Sequence, residues 1–271
     1  MNINEVENVF KNKDLLITQK LNALKRGDVI VGSILKEEEN TEVIKAEGDN
    51  VETIDTNVLN VKAVINTTNV IDSHMDCHIP GLWKKTLSET KLFYLLQEHE
   101  MDFDKIIAES VNDDLKAYTQ SIAWSKLGQT FDGKTEALIF EAKIKADVNP
   151  FMFDLYKRGR VLNHSVSMRY VKIYLCINSN EATYAAEKDN WDKYYSEVAN
   201  KEIADEKGYF WAVTEAKVIE GSAVVKGSNQ YTPTLEIEAE KTEPTEVTQE
   251  TEIKEEPIIE ITQTRKKSIL I

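Results

Sequence analysis

At 271 residues and 41% hydrophobic content, the chain can build one generous domain or two small ones around a buried core. It carries 47 acidic against 33 basic residues, a formal net charge of -14, so a phosphate backbone or an anionic membrane would be repelled by most of its surface. Its two cysteines, Cys77 and Cys176, lie far apart with no CxxC spacing, which argues against a disulfide framework or a structural zinc site.

The N-terminus, MNINEVENVFKNK, has no apolar h-region or small-residue cleavage site, and no stretch reaches the roughly 18 apolar residues of a membrane span. An intracellular protein is expected. Residues 1–60 mix LLITQKLNAL with the acidic run KEEENTEVIKAEGDN and read as a helix followed by a polar, partly mobile lead-in. From Val61 the pattern changes. VKAVINT, LFYLL, LKAYTQSIAW, TEALIFEAKI, SVSMRYVKIYLCI and YFWAVTEAKVIEGSAVV are rich in β-branched and aromatic residues, several with alternating polarity, and read as six strands.

Two helical segments interrupt them. NPFMFDLYKRG has Asn149 as N-cap, Pro150 at the first helical position and Gly159 at its end, and delivers the chain into the strand that holds Ser165. Residues 181–207 have the spacing of an amphipathic surface insertion, with Trp191, Tyr194, Tyr195 and Val198 near one face and Gly208 past the end. Residues 235–264 hold ten Glu and two Lys and no aromatic residue, so they cannot bury enough apolar area to offset their ordering entropy; a disordered acidic tail over 235–271 is expected, closing on the basic-aliphatic RKKSILI. The core domain is placed at 61–234.

A serine nucleophile needs a base within hydrogen-bond reach and a third group to hold that base's tautomer. Of the four histidines, His99 ends LFYLLQEH, which carries an imidazole from core to rim. Such a histidine could also be a structural one satisfied by Glu98, Glu100 or Asp102. Ser165 and Ser167 share one face of their strand, and His164 points to the other. A half-buried hydroxyl bonded to a carbonyl is the competing reading for either serine. In DSHMDCH, an extended backbone would put His74, Asp76 and His78 on one face with Cys77 turned away, a donor set for a divalent cation, although a solvated loop is the plainer reading. No metal or cofactor is assigned.

Arg158, Gly159, Ser165, Val166, Ser167 and Met168 resemble the run of the phage prohead maturation proteases, a serine peptidase family, in which a basic residue and Gly precede Ser, aliphatic, Gly, large apolar. Ser167 stands where that family commonly has Gly. NVIDSHMDCHIPGLWKKTL is similar to its early segment, and AKVIEGSAVVKGSNQYTPT to its later strand, with an acid two places before a serine, here Glu220 and Ser222. The resemblance spans about residues 61–234 and implies Ser165 as nucleophile, His99 as base and Glu220 as third member, with Glu215 or an acid beside His99 as alternatives and Arg169 as a water-ordering group. It further implies an α+β, β-rich fold with a closed assemblin-like β-barrel flanked by helices. The implied activity is that of a serine endopeptidase cutting phage major capsid and scaffold proteins inside the immature capsid in the host cytoplasm; self-cleavage is a further expectation, prompted by the accessible region after Thr234. No cofactor, membrane or direct nucleic-acid partner is implied, and a homo-oligomer is compatible. A catalytically inactive capsid scaffold is the alternative.

Overall fold

The computed structural model describes residues 3–22, 24–25 and 54–241. In chain order the elements are α1 (Ile3–Lys11), α2 (Lys13–Asn22), β1 (Leu24–Lys25), β2 (Ile54–Thr67), β3 (Asp76–His78), α3 (Lys84–Glu89), β4 (Tyr94–Gln97), β5 (Ile106–Glu109), β6 (Leu115–Ala123) and β7 (Lys134–Lys145). They continue with α4 (Pro150–Lys157), β8 (Asn163–Ile177), α5 (Ala185–Tyr194), α6 (Lys201–Lys207), β9 (Tyr209–Val224) and β10 (Thr234–Lys241). The fold is α+β and β-rich, and each of the six predicted strands is present. Four further strands are β1, β3, β5 and β10, of which the first three are too short to carry alternation that can be read.

The strands pair as two sheets. One runs β1-β8-β9-β4-β5, with β3 also paired to β9; the other runs β10-β2-β7-β6. Among the described residues the two sheets share one core, and the ladders of each end without joining the other. Strand β2 packs on β8 and β5 on β7, and the side chains between them, including Ile65, Leu95, Phe140, Val166 and Met168, form the main core. At Gly221 of β9 the sheets approach closely: a Cβ there would lie 2.7 Å from Phe140 Cε2 and 2.9 Å from Ile65 Cγ2.

Helix α4 starts and stops as its sequence indicates. The Asn149 side chain accepts from Met152 N at 3.0 Å, Pro150 occupies the first turn, and Gly159 takes the left-handed φ of 63° that ends it. The 181–207 insertion is two short helices, α5 and α6, which bury Trp191, Tyr194 and Val198 over Phe210 and both cysteines. Asn200, between them, bonds both the N–H and the C=O of Ile71, at 2.8 and 2.9 Å. Cys77 and Cys176 are free thiols inside this cluster, and burial pushes both thiols up.

Two boundaries differ from the sequence reading. β2 begins at Ile54, inside the expected lead-in, and β10 takes residues 235–241 of the expected tail into a strand antiparallel to β2. β10 alternates Glu with Leu, Ile and Ala, and composition alone hid that period-two pattern; Ile237 packs against the main core. The acidic run KEEENTEVIKAEGDN, the tail after Lys241 and RKKSILI lie outside the described residues. Among the described residues, no helix is long and apolar enough to cross a membrane.

Candidate active site

The site is built on β8 and β9. Their antiparallel register pairs Ser165 with Ser222 and Ser167 with Glu220, and directly opposed residues on two strands share a face. Val166 and Gly221, one step along, face the inter-sheet core. Ser165, Ser167, Glu220 and Ser222 therefore lie together on the opposite face of the sheet.

β4 brings the histidine to them. It runs parallel to β9, pairing Leu95, Leu96 and Gln97 with Gly221, Ser222 and Ala223. The strand ends at Gln97, earlier than the apolar run predicts, and the backbone turns through two successive left-handed residues, Glu98 at φ 51° and His99 at φ 61°. Each is strained for a residue with a Cβ, at a cost of order 1–2 kcal/mol. Hydrogen bonds on both sides hold the turn: Glu98 N donates to Ala223 O at 2.9 Å, Glu100 N to Gln97 O at 3.0 Å, and His99 N to Ser222 Oγ at 3.1 Å. The turn folds the imidazole back over β9.

There His99 Nδ1 meets Glu220 Oε1 at 2.6 Å, and Ser222 Oγ donates to Glu220 Oε2 at 2.7 Å. Both carboxylate oxygens are engaged, as an acid only 1% exposed requires. With the carboxylate on Nδ1, the proton of the neutral ring sits on that nitrogen and Nε2 keeps its lone pair. Nε2 is buried and has no hydrogen-bond partner among the described residues. Ser165 and His99 are themselves buried, at 5% and 7% exposure. The loop after β9 comes close to the serine: a Cβ on Gly227 would lie 3.3 Å from Ser165 Cβ and 3.0 Å from His164 O, so a side chain there would crowd it.

Two of the alternative third members are engaged elsewhere. Glu98 Oε1 accepts from Val225 N at 2.8 Å. Glu215 is paired with Lys172 at 2.6 Å and Lys85 at 3.3 Å, and hydrogen bonding from Lys172 holds its carboxyl below the usual range. His164 points away from Ser165, as its strand position predicts. Its Nε2 meets Tyr156 OH at 2.9 Å and its Nδ1 lies 3.2 Å from Thr232 O, and burial pushes its pKa down to about 4. Arg169 is exposed and sits on the far side of Met168 from Ser165.

The cation reading of DSHMDCH changes composition. His74 is in a turn outside β3, and the donor atoms that converge within 4.8 Å belong to Asp72, Asp76 and His78. The Lys20 ammonium already sits 2.6 Å from Asp76 Oδ1, over the rings of Tyr170 and Trp211, and the Tyr170 hydroxyl donates to the same carboxylate.

Sequence reasoning did not foresee the structural work of Ser222, Gly227 and the left-handed pair Glu98–His99. The two residues of that pair have no turn signature, and a glycine's close approach is invisible without its partner. No protein-family model, curated protein or solved structure matches this chain.

Proposed function

We propose that the protein is a serine endopeptidase with Ser165 as nucleophile, His99 as general base and Glu220 as the group that orients it. The observation that carries this reading is the 2.6 Å bond from His99 Nδ1 to buried Glu220, with the other ring nitrogen unpartnered, beside a serine on the same sheet face. Most structural histidines use both nitrogens, as His164 does. In the first step Nε2 takes the Ser165 proton while Oγ bonds to a peptide carbonyl carbon, and the imidazolium passes that proton to the departing amine. Water, deprotonated by the same nitrogen, then releases the acyl group from Oγ and the serine recovers its proton. Glu220 stays ionised throughout and stabilises the imidazolium, while Ser222 keeps its second oxygen from turning away. The Ser165–His99 contact closes when substrate binds, as is common for such bonds.

Large exposed apolar side chains lie near the site residues along the chain: Met101 and Phe103 follow His99, Leu162 precedes Ser165, and Val225 follows β9. Such exposed apolar residues suit an extended, partly apolar polypeptide as substrate. Within this reading the substrates are phage major capsid and scaffold proteins, cut inside the immature capsid in the host cytoplasm, and the chain belongs with the prohead maturation proteases. The closed assemblin-like barrel is part of the same proposal and is supported by two sheets sharing one core. An inactive capsid scaffold is the second reading, favoured by Ser167 in the family's glycine place. Coexpression with candidate capsid and scaffold proteins separates the two: new termini that appear with the wild type and vanish with Ser165→Ala are expected, and identical fragments from both would leave the scaffold.

A further inference from the structure

Between β9 and β10 the chain passes from the end of β9 to the outer edge of β8, and hydrogen bonds tie it down along the way. Val225 N donates to Glu98 Oε1 at 2.8 Å, and Val225 O accepts from Asn163 Nδ2 at 3.1 Å. Ser228 O accepts from Ser73 N at 3.2 Å, and Asn229 Nδ2 donates to Thr67 O at 3.0 Å. Thr232 fastens the far end to β8, where its carbonyl accepts from His164 N at 3.0 Å and its hydroxyl donates to His164 O. A loop anchored to five separate segments holds one shape.

Inside that frame two amides have nowhere to go. Gly227 and Ser228 are buried, yet among the described residues their backbone N–H groups have no hydrogen-bond partner. Buried N–H groups are nearly always paired, so two in succession call for a reason. Their position supplies one. The Cβ direction of Gly227 ends 3.3 Å from Ser165 Cβ. Its φ is outside the left-handed region, so what glycine contributes here is space and not a turn. His99 comes from the other side, because β4 pairs with β9, and β9 lies between β4 and β8. The serine stands between the imidazole and the loop.

We propose that this loop is the oxyanion hole of the Ser165 site, with the Gly227 and Ser228 N–H groups as its donors. The assignment rests on the peptidase reading and deepens it. As Ser165 Oγ bonds to the peptide carbonyl carbon, the C=O π pair moves onto oxygen, and the charge is met by N–H dipoles that are already fixed. When the C–N bond breaks, that pair returns to re-form the carbonyl, and the same donors serve again when water attacks the acyl group. Glu98 belongs to both halves: its left-handed turn presents His99, and its carboxylate holds Val225 at the entry to the loop.

A peptide boronic acid tests the assignment on the full-length chain, since its boron adds to Ser165 Oγ and a boronate oxygen takes the place of the oxyanion. In amide NMR spectra the Gly227 and Ser228 proton resonances are expected to move downfield on addition, and to stay in place in Ser165→Ala. Gly227→Ala, whose methyl would press on His164 O and displace the loop, should lower kcat at least roughly tenfold with KM little changed, short of the roughly 10²–10³ lost when such a donor is removed outright. Boronate affinity should fall with kcat. A Gly227→Ala protein that melts earlier but keeps its turnover and boronate affinity would make the glycine a packing residue only and count against the proposal. An adduct on Ser165 with both amides unmoved would overturn the oxyanion assignment and leave the peptidase reading standing, whereas failure of any adduct to form on Ser165 would refute that reading and the assignment with it.

Discussion

Glu220 spends one oxygen on an imidazole and the other on Ser222, and a buried carboxylate so divided leaves His99 only one tautomer. Glu220→Gln keeps the volume but offers an amide where the carboxylate stood, favouring the ring with its proton on Nε2, which cannot accept one from Ser165. Peptide cleavage should fall about 10²–10⁴-fold with the thermal midpoint nearly unchanged, measured as turnover beside a melting curve. His164 supplies a contrast at the same scale. Its pKa is pushed down to about 4, while in an unfolded chain it titrates near 6.5, so between those values the unfolded chain binds a proton that the folded chain refuses. Stability that is complete above about pH 6.5 is therefore lost as pH falls toward 4. Urea unfolding at about pH 7 and about pH 5 should show the wild type losing on the order of 2 kcal/mol more than His164→Gln does. The residues of this site were legible because each sits in a short run with a distinctive order. Glu220 could not be chosen over Glu215 from the sequence, since the choice depends on Lys85 and Lys172 arriving from other elements.

At the scale of elements, β9 does two jobs with alternate residues: Glu220 and Ser222 hold the site on one face, and Gly221 lets the second sheet close on the other. Gly221→Ala would drive a methyl into Phe140 and Ile65, both fully buried, and should cost about 1–3 kcal/mol in chemical unfolding. Because the same residue lies between the two that orient His99, the variant should also slow cleavage more than its stability loss explains. The long strands were legible because β-branched and aromatic alternation is a strong local signal, and α4 because it carries its own start and stop residues. β3 and β5 were not, being three and four residues long and paired to partners far along the chain. β10 was hidden by its ten-Glu context, which masks alternation when net charge is averaged over a long window.

In the whole molecule, helices α1 and α2 and a helical insertion dress two sheets, and α2 is held by ion pairs of Lys13 with Glu187 and Lys20 with Asp76 beside the apolar contacts of Leu16 and Ile17. α2 buries no residue fully, so Lys20→Ala removes one of its two ion pairs to a buried acid and takes the cation from Asp76. A loss of about 1–3 kcal/mol is expected by chemical unfolding, with protease nicking near residue 23 appearing first. The pairing of the two sheets was beyond sequence reasoning because ladders between distant strands leave no local trace, and a barrel and a pair of sheets have the same alternation. The arrangement nonetheless converges on one chemical claim, that a proton can pass from Ser165 to His99. Fluorophosphonate labelling mapped by peptide mass tests it most directly: the account requires the label on Ser165 and its loss in His99→Ala, whereas a Ser165 that stays unlabelled, or one labelled equally without the imidazole, contradicts it.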